Sequence, residues 1–448
     1  MSITQNLIKA RSHIAFVVGL CIAAAIAITL DGRLGYLRVS NGARHIITRS
    51  ADQIQMAPSK ILSPHDMQNA QVAWGYFKKN YNPETGLVNS VDGFPSTTIW
   101  DQSSYLLGLI SAYKIGVIDA SLFNLRMSKV LEALVDLPLF FGKLPNKVYD
   151  TRNLQMTTYS NKAAAAGIGW SALDIARMAV PLNILLYDYP EHAGKAGRIL
   201  SNWDFDAMVQ DGVLIGARIH AQTGLPETIQ EGRLGYEEYG ARATALLGLD
   251  TITAAKYDDF IEFTDIEGQQ IAADSRNMTL FGAPNYVVSE PYILMAIEFG
   301  LDREAKELAH RIYNAQANRF ASSGQLTAVS EDNIDQSPYF IYNTVFANGQ
   351  AWNTVDDNGE QFPDLKTLST KAAFGWDALY DTEYTRRLVA EIQKTKTADR
   401  GWMSGVYEKD GRVNMVATAN TNGIILEIIN YKANGPLVSA RFAKGGKQ

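Results

Sequence analysis

The chain has 448 residues, of which 46% are hydrophobic and 10% aromatic, so it can bury a large core. The formal net charge is -6 and neither sign forms a long run, which argues against nucleic acid because phosphate binding needs a concentrated basic face. The single cysteine, Cys21, lies in an N-terminal apolar stretch, so the rest of the chain has neither disulfides nor cysteine-ligated metal sites.

The N-terminal region is predicted to carry the chain into a membrane. Ile14 to Leu30 contains seventeen residues without a charge, and Lys9 and Arg11 precede it. This length suits either a short transmembrane helix or the core of a signal peptide. Ala25 and Ala27 resemble a cleavage pattern, so an anchor and a cleaved signal both stay open.

These features divide the chain into five predicted parts. Residues 1–12 are a cytoplasmic N-terminus, residues 13–30 are the transmembrane anchor or signal segment, and residues 31–63 are a tether. Residues 64–437 form the main domain and residues 438–448 a tail. The protein is expected to cross a bacterial inner membrane once, with that membrane as a partner and the main domain in the periplasm.

From residue 64 onward, helix-like segments alternate with polar, glycine-containing loops. Ser63 caps the first segment, Met67 to Tyr81. Further helices are predicted at Gln102 to Ile115, Ala120 to Leu137, Trp170 to Leu186, Tyr189 to Ser201, Glu238 to Leu249, Pro291 to Phe299, Arg303 to Gln316, Thr370 to Leu379, Thr382 to Lys394 and Thr421 to Ala433. Short strands are predicted at Val148 to Leu154 and Val213 to Ile219, as hairpins on the helical scaffold.

One motif recurs along the chain: KAA followed shortly by GW occurs at residues 162–170 and at residues 371–376. We interpret the two copies as helices with equivalent places in a closed ring of helical hairpins. Such an (α/α) toroid would contain about ten to twelve helices around a central funnel. Its loops at one end would carry the function.

Aromatic and acidic residues cluster at the junctions between loops and helices. A sugar-binding groove needs flat aromatic faces for pyranose rings, and carboxylates and amides for their hydroxyl groups. The expected substrate-binding residues are Trp100, Trp170, Tyr236, Tyr239, Tyr292, Trp352, Trp376, Trp402, Asn420 and Asn422. The pattern predicts a polysaccharide or oligosaccharide as the partner.

Glycoside hydrolysis needs one protonated and one ionised carboxyl group. Glu237 and Glu238 are candidates for the acid, because a like-charge neighbour and burial raise a carboxyl pKa, although a helix start opposes that shift. The alternative is that one of the pair caps the first turn and the other forms an ion pair with Arg242 or Arg177. Candidates for the second carboxylate are Glu290, Glu360 and Asp101, followed by Glu331 and Asp332. Asp174 and Arg177, three residues apart, are expected to form an ion pair.

Other chemistries have weak support in the sequence. The six histidines show no paired metal-ligand spacing. The chain also has no nucleophile-elbow motif, phosphate-binding loop or dinucleotide fingerprint. We therefore expect neither a metal nor a cofactor.

Six segments resemble a bacterial family of exported proteins catalogued as a domain of unknown function, number three-one-three-one. They are WDQSS at 100–104, GWSALDIARM at 169–178, LGYEEYGARA at 234–243, SEPYILMAIEFG at 289–300, KAAFGWDALY at 371–380 and TANTNGIILEIINYKANGPL at 418–437. That family is similar to glucoamylase-like and endo-glucanase-like toroid proteins, and its members are often encoded among exopolysaccharide functions. The resemblance implies a mainly α fold, an (α/α)6 toroid with short β-hairpins in its loops, preceded by one transmembrane helix.

Two local matches imply roles. Glu237-Glu238 after an aromatic residue resembles the Trp-Glu-Glu of glucoamylases, which implies the acid role for Glu237. Glu360, followed by Gln and Phe, resembles their base segment. The expected function is a glycoside hydrolase or transglycosidase acting on a glucan or exopolysaccharide. The alternatives are a non-catalytic polysaccharide-binding or export-assisting protein, and a lyase with Tyr236 or Tyr239 as base.

Overall fold

Most helices of the main domain begin at a capping side chain that the sequence supplies. The Asp66 N–H donates to Ser63 Oγ at 3.1 Å, and the Ser63 N–H donates to Asp66 Oδ2 at 3.0 Å. Thr98 and Asp119 cap the next two helices with their side-chain oxygens. These bonds satisfy backbone N–H groups that have no partner inside the helix, which is why the helices start at these positions.

The computed structural model describes residues 46–257, 260–276 and 285–438. Ile47–Tyr257 and Ile261–Gln448 belong to one compact unit, and the account below concerns its described residues. A second unit holds Met1–Ile46 and Asp258–Phe260. Within the described ranges, no helix is long and apolar enough to cross a membrane. The predicted cytoplasmic N-terminus and anchor, residues 1–30, lie outside those ranges.

Helices form the framework, and short antiparallel sheets of two to four strands occupy the loops. The helices are α1 (Pro64–Lys79), α2 (Ile99–Lys114), α3 (Ala120–Asp136), α4 (Ala172–Asp188), α5 (Pro190–Asn202), α6 (Tyr236–Ala245), α7 (Glu290–Leu294, continued by a π-helical turn at Met295–Phe299), α8 (Arg303–Ser323), α9 (Thr370–Tyr380), α10 (Glu383–Ile392) and α11 (Ala419–Asn434). The strands are β1 (Ser96–Thr98), β2 (Leu139–Phe140), β3 (Leu144–Pro145), β4 (Val148–Asp150), β5 (Val209–Gln210), β6 (Val213–Ile219), β7 (Pro226–Gln230), β8 (Ile261–Ile266), β9 (Gln269–Asp274), β10 (Tyr286–Val287), β11 (Glu331–Asn333), β12 (Phe340–Asn343), β13 (Phe346–Ala347), β14 (Gln350–Ala351), β15 (Thr354–Val355), β16 (Thr367–Ser369), β17 (Lys396–Thr397), β18 (Gly401–Tyr407) and β19 (Val413–Ala417). Each predicted helix overlaps an observed one, and β6 has the predicted bounds.

Six helices form a closed inner ring. The order α2, α4, α6, α7, α9, α11 is also the order of contact, and α11 packs against α2 to close the circle. Of the other helices, α1 packs on α11, α5 on α4, α8 on α7 and α10 on α9, while α3 joins α2 to α5. The described residues therefore form a toroid with six inner and five outer helices, and the stretch between α6 and α7 contains the β8–β9 hairpin.

The repeated KAA and GW motif does not mark equivalent helices. Its first copy lies in the loop before α4, whereas Lys371 to Trp376 of the second copy lie inside α9. Trp170 and Trp376 are both buried in the core. The two copies therefore share a packing role for tryptophan and not a position in the ring.

A polar cluster fills the axis of the ring. Arg177 of α4 is fully buried, and its Nη2 lies 3.1 Å from Glu427 of α11 and 3.7 Å from Glu298 of the π-helical turn. Its Nη1 donates to Asn420 Oδ1 at 2.9 Å. Tyr239 of α6 donates to Glu298 at 2.7 Å. The predicted ion pair between Arg177 and Asp174 is therefore wrong, because Glu427 and Glu298 contact Arg177 at the axis instead.

The segment at residues 47–63 is bound to the toroid, although it was predicted to be part of a tether. The Ala57 N–H donates to Leu379 O at 2.8 Å, and the Lys60 N–H donates to Lys432 O at 2.8 Å. Gln53 Nε2 donates to Glu307 of α8 at 3.1 Å. These bonds reach helices from different parts of the chain, so this segment behaves as an extension of the domain.

Ring closure depends on two glycines. Gly108 of α2 faces Gly423 of α11, and a Cβ on Gly108 would lie 3.2 Å from Gly423 Cα. A Cβ on Gly423 would overlap the Ser104 carbonyl oxygen. The two backbones can approach this closely only because neither residue has a side chain.

We expect Gly423→Ala to lower the free energy of unfolding by about 1–3 kcal/mol, because an added methyl group would force α2 and α11 apart. The matched control is Gly194→Ala in the exposed part of α5, where an added Cβ meets nothing within 4 Å. That change should raise the stability by about 0.5–1 kcal/mol through helix propensity. Urea titration followed by circular dichroism measures both, and equal effects of the two changes would contradict the packing account.

Candidate active site

The N-terminal ends of the inner helices surround a cavity of about 380 Å³. Five of the six inner helices contribute to its lining near their first turns, including Asp101 of α2, Asp174 of α4, Tyr236 of α6, Lys371 of α9 and Asn420 of α11. Strands β7, β11 and β12 add the remaining walls. Residues that are far apart in sequence therefore meet at one end of the ring.

Aromatic side chains line two parts of this cavity. Trp100 and Tyr236 pack edge to face with ring centroids 5.8 Å apart. Tyr286 and Tyr342 stack with centroids 4.1 Å apart, and Phe340 packs on the edge of Tyr342. These rings can bind the apolar faces of a sugar, while the acids around them can bind its hydroxyl groups.

One wall of the cavity carries Asp174 and Glu231, next to the start of α4. Glu231 accepts hydrogen bonds from the N–H groups of Ala172 and Leu173, and Ser171 Oγ donates to Asp174 at 2.9 Å. Burial raises the pKa of Asp174 to about 7, and the charge of Glu231 adds to this shift. Because two adjacent carboxylates resist joint ionisation, this pair retains a proton near neutral pH.

A second wall of the cavity carries Glu331 and Asp332 of β11. Burial raises the pKa of Asp332 to about 7, although Lys371 opposes the shift from 3.6 Å. Burial alone would lower the pKa of Lys371, but Glu290 and Asp332 raise it above its ordinary value. Lys371 is therefore charged, and it forms an ion pair with Glu290 directly below the cavity.

Asn420 joins the floor of the cavity to the polar cluster at the ring axis. Its Oδ1 accepts from Trp100 Nε1 at 3.1 Å and from Ser104 Oγ at 2.9 Å, as well as from Arg177. Its Nδ2 donates to Glu290 at 3.1 Å. Asn420 therefore fixes Trp100 and Glu290 relative to each other.

Some of the residues predicted for the site lie at the cavity. Trp100, Asp101, Tyr236 and Asn420 line it. Burial raises the pKa of Asp101, although Ser90 and Thr98 donate hydrogen bonds that oppose the shift. Glu290 lies just below the cavity floor, bonded to Asn420. Tyr239 is fully buried behind Trp100, with ring centroids 5.9 Å apart.

The acids with the clearest predicted roles lie elsewhere. Glu238 accepts from the Gly235 N–H at 2.6 Å at the start of α6, and burial together with Glu237 raises its pKa to about 8. Glu237 forms an ion pair with Arg276, and not with Arg242 or Arg177 as the alternative interpretation predicted. Glu360 is exposed in the turn before β16. The cavity lining does not include these three carboxyl groups.

The remaining predicted sugar-binding residues occupy structural positions. Trp170 and Trp402 are buried and donate from Nε1 to the carbonyl oxygens of Ile215 and Asn69. Tyr292 is 1% exposed and Trp376 is fully buried. Asn422 hydrogen-bonds the backbone of Trp402, and Trp352 packs under Arg319. They pack the ring and its loops, and none of them lines the cavity.

Sequence reasoning missed several cavity residues or gave them lesser roles. Glu231, Tyr286, Tyr342 and Lys371 were not singled out, and Asp174 was interpreted only as an ion-pair partner. A usable signal existed for Glu231, because an acid followed by glycine just before a helix often lies at a functional turn. The two tyrosines lie in short strands within long loops, and the pairing register of such strands could not be predicted from the sequence.

Among the described residues, no group of three or more His, Cys, Asp or Glu side chains is placed to hold a metal ion. The cavity acids instead lie in two groups, Asp174 with Glu231 and Glu331 with Asp332 beside Lys371. Their arrangement suits proton transfer to and from a bound substrate.

The fold has clear relatives among solved structures. A glucoamylase-like protein from Bacteroides caccae is 12% identical, with a TM-score of 0.59, covering 83% of this chain and 94% of that one. The endo-β-1,2-glucanase from Chitinophaga pinensis, solved with sophorotriose and glucose, is 11% identical with a TM-score of 0.59, covering 84% and 94%. The endo-β-1,2-glucanase from Talaromyces funiculosus, solved with sophorose, is 12% identical with a TM-score of 0.59, covering 86% and 87%. At these identities the likeness establishes the fold, a glucoamylase-like toroid.

A comparison with curated proteins finds no matching relative. A family profile described as "Protein of unknown function (DUF3131)" matches residues 68–435. This range contains all eleven helices described above except the first residues of α1. The chain therefore belongs to the DUF3131 family.

Proposed function

We propose that the chain is a glycoside hydrolase that cleaves a glucan or related exopolysaccharide with two carboxyl groups, one from each of the two acid-bearing walls of the cavity. The observation that carries the proposal is the position of five carboxyl groups, together with aromatic faces, around one cavity. The structural relatives that bind β-1,2-linked glucose oligosaccharides support the proposal, because they share the toroid.

The two walls suit different roles. Burial raises the pKa of Glu231, but the backbone N–H groups at the start of α4 oppose this shift, so we assign the proton of this pair to Asp174. Asp174 is therefore the proposed proton donor to the leaving oxygen. Asp332 lies near the charged Lys371, which favours its ionised form, and it is the proposed base.

Location remains part of the proposal. We infer a single membrane anchor or export signal from the uncharged stretch at Ile14 to Leu30 and its basic flank, with the toroid in the periplasm. An exported position would give the cavity access to a polysaccharide too large to enter the cytoplasm. Protease treatment of spheroplasts from cells that express the full chain tests this, because their periplasmic face is open, and a toroid that is cut only after the inner membrane is lysed would contradict it.

We expect Asp174→Asn and Asp332→Asn each to lower kcat by about 10²–10⁴, because each removes a proton-transfer group. The comparison variant is Glu360→Gln, which should retain activity because Glu360 is exposed outside the cavity. Asp364→Asn is a surface control, with a side chain that is 74% exposed. Products of β- and α-glucans, separated by chromatography, give the rates of the full-length proteins. Loss of activity in Glu360→Gln with full activity in the two cavity variants would reverse the assignment.

The pH profile gives a second prediction. The donor must be protonated, so kcat/KM should fall as the pH rises through about 7, where Asp174 loses its proton. In Glu231→Gln the neighbouring negative charge is gone, which lowers the pKa of Asp174 and moves this alkaline limb to lower pH. Measuring kcat/KM against pH for the unmodified protein and for Glu231→Gln gives the shift of the alkaline limb. A limb that stays in place or moves upward would exclude Asp174 as the donor.

A further inference from the structure

The wall that carries Glu331 has features that proton transfer does not need. Glu331 of β11 lies directly opposite Tyr342 of β12 in the antiparallel register, so their side chains share one face. Asn333 and Phe340, the next pair on that face, also line the cavity. Tyr286 stacks on Tyr342. A carboxylate and two tyrosine rings therefore meet at one place in the cavity wall.

The acids of this wall exceed its cations. Glu290, Glu331 and Asp332 surround a single lysine, Lys371, which is bonded to Glu290. Among the described residues that line the cavity, five carboxyl groups occur with two cations, Lys371 and Arg233. The guanidinium of Arg233 donates to Gln230 Oε1 and Gly232 O, and Glu237 is one of its charged neighbours. The lining therefore keeps an excess of negative charge.

Glu331 has an oxygen atom without a hydrogen-bond partner. The residue is 91% buried, yet its Oε2 makes no hydrogen bond within the described part of the chain. An unsatisfied buried carboxylate is costly. Because Glu331 lines the cavity, a bound group with hydrogen-bond donors and positive charge can satisfy it.

We propose that Glu331, Tyr286 and Tyr342 form a subsite for the ammonium group of an amino sugar, so that the preferred polysaccharide carries free amines and not carboxylates. This inference rests on the proposed carbohydrate-cleaving function and names its substrate class. An ammonium group is attracted by carboxylates and by the faces of aromatic rings, which are the two kinds of group present here. A uronate would instead meet the acids of the lining without a matching set of cations.

The protonation state of the wall gives this inference an independent signature. Burial raises the pKa of Glu331, while Lys371 and Arg177 oppose the shift, and the pKa of Asp332 is about 7. The other charged neighbours of Asp332 are Glu290 and Glu331. Protons thus compensate part of the acid excess in the free protein. A bound ammonium group lowers these pKa values and displaces protons, whereas a neutral sugar does not.

The test compares the binding of three monosaccharides that share the gluco ring and each differ from glucose in at most one substituent: glucosamine with an ammonium group, neutral glucose, and glucuronate with a carboxylate. Binding to the full-length protein is measured by calorimetry near pH 6, where a sugar amine is protonated. We expect glucosamine to bind at least about tenfold more tightly than glucose, equivalent to about 1.4 kcal/mol, and glucuronate more weakly than either. Repeating the titration in buffers of different ionisation enthalpy should show proton release for glucosamine alone.

The variant that isolates the subsite is Glu331→Gln, which keeps the shape and removes one charge. It should bind glucosamine about tenfold more weakly and glucose unchanged, while Asp364→Asn on the surface changes neither. If Glu331→Gln does not fold, the inference is tested by whether the unmodified protein releases protons when it binds glucosamine. Equal affinity for glucosamine and glucuronate, or no glucosamine binding, would overturn the inference.

Binding and cleavage fail separately in this design. If no glucan is cleaved but the three sugars bind in the expected order, the proposed hydrolase function is lost and the subsite stands. If a neutral glucan is cleaved while the three sugars bind equally, the hydrolase function stands and the ammonium subsite is excluded.

Discussion

The buried guanidinium of Arg177 is the interaction on which the rest of the ring depends. It lies at the axis, bonded to Glu427 and near Glu298, with the Trp100 ring 4.6 Å below its charge. Burial and the neighbouring Glu298 raise the pKa of Glu427, so one proton remains in this pair and the cluster is close to neutral. Removing one partner of such a buried cluster typically costs about 3–5 kcal/mol, because the others are left uncompensated. The inner helices therefore have one arrangement in which Arg177 reaches its two carboxylate partners at the axis of the ring.

The same arrangement creates the cavity. Because the inner helices present their N-terminal ends at one end of the ring, their capping residues and first-turn acids converge there. Helix N-termini stabilise nearby anions, which lets Glu231 and Asp174 remain close together without complete neutralisation. Asn420 hydrogen-bonds Arg177 at the axis and also Trp100 and Glu290, so it positions these two side chains relative to the axis. Site geometry and ring closure thus have a common origin.

The helices could be predicted well from the sequence, whereas only part of the site could. Caps such as Ser63 and apolar periodicity are local signals, so each predicted helix overlaps an observed one. The pair Glu237 and Glu238 looked catalytic because adjacent acids start a helix, but the local sequence does not tell which side of that helix faces the cavity. Glu237 instead faces Arg276, a residue of a different loop. Asp332 and Tyr342 were harder still, since their positions depend on the register of short strands.

Closure of the ring by α2 and α11 also has a consequence for biogenesis. The first inner helix has two neighbours in the ring, and one of them is the last helix of the domain, more than three hundred residues later. Until Gly423 has left the ribosome, Gly108 and the apolar face around it lack their packing surface. Contacts of such long sequence separation form late, so an incomplete chain exposes apolar, aggregation-prone helix faces during synthesis. A protein built in this way gains from chaperones or a translocation channel that keep it extended until its final segment is available.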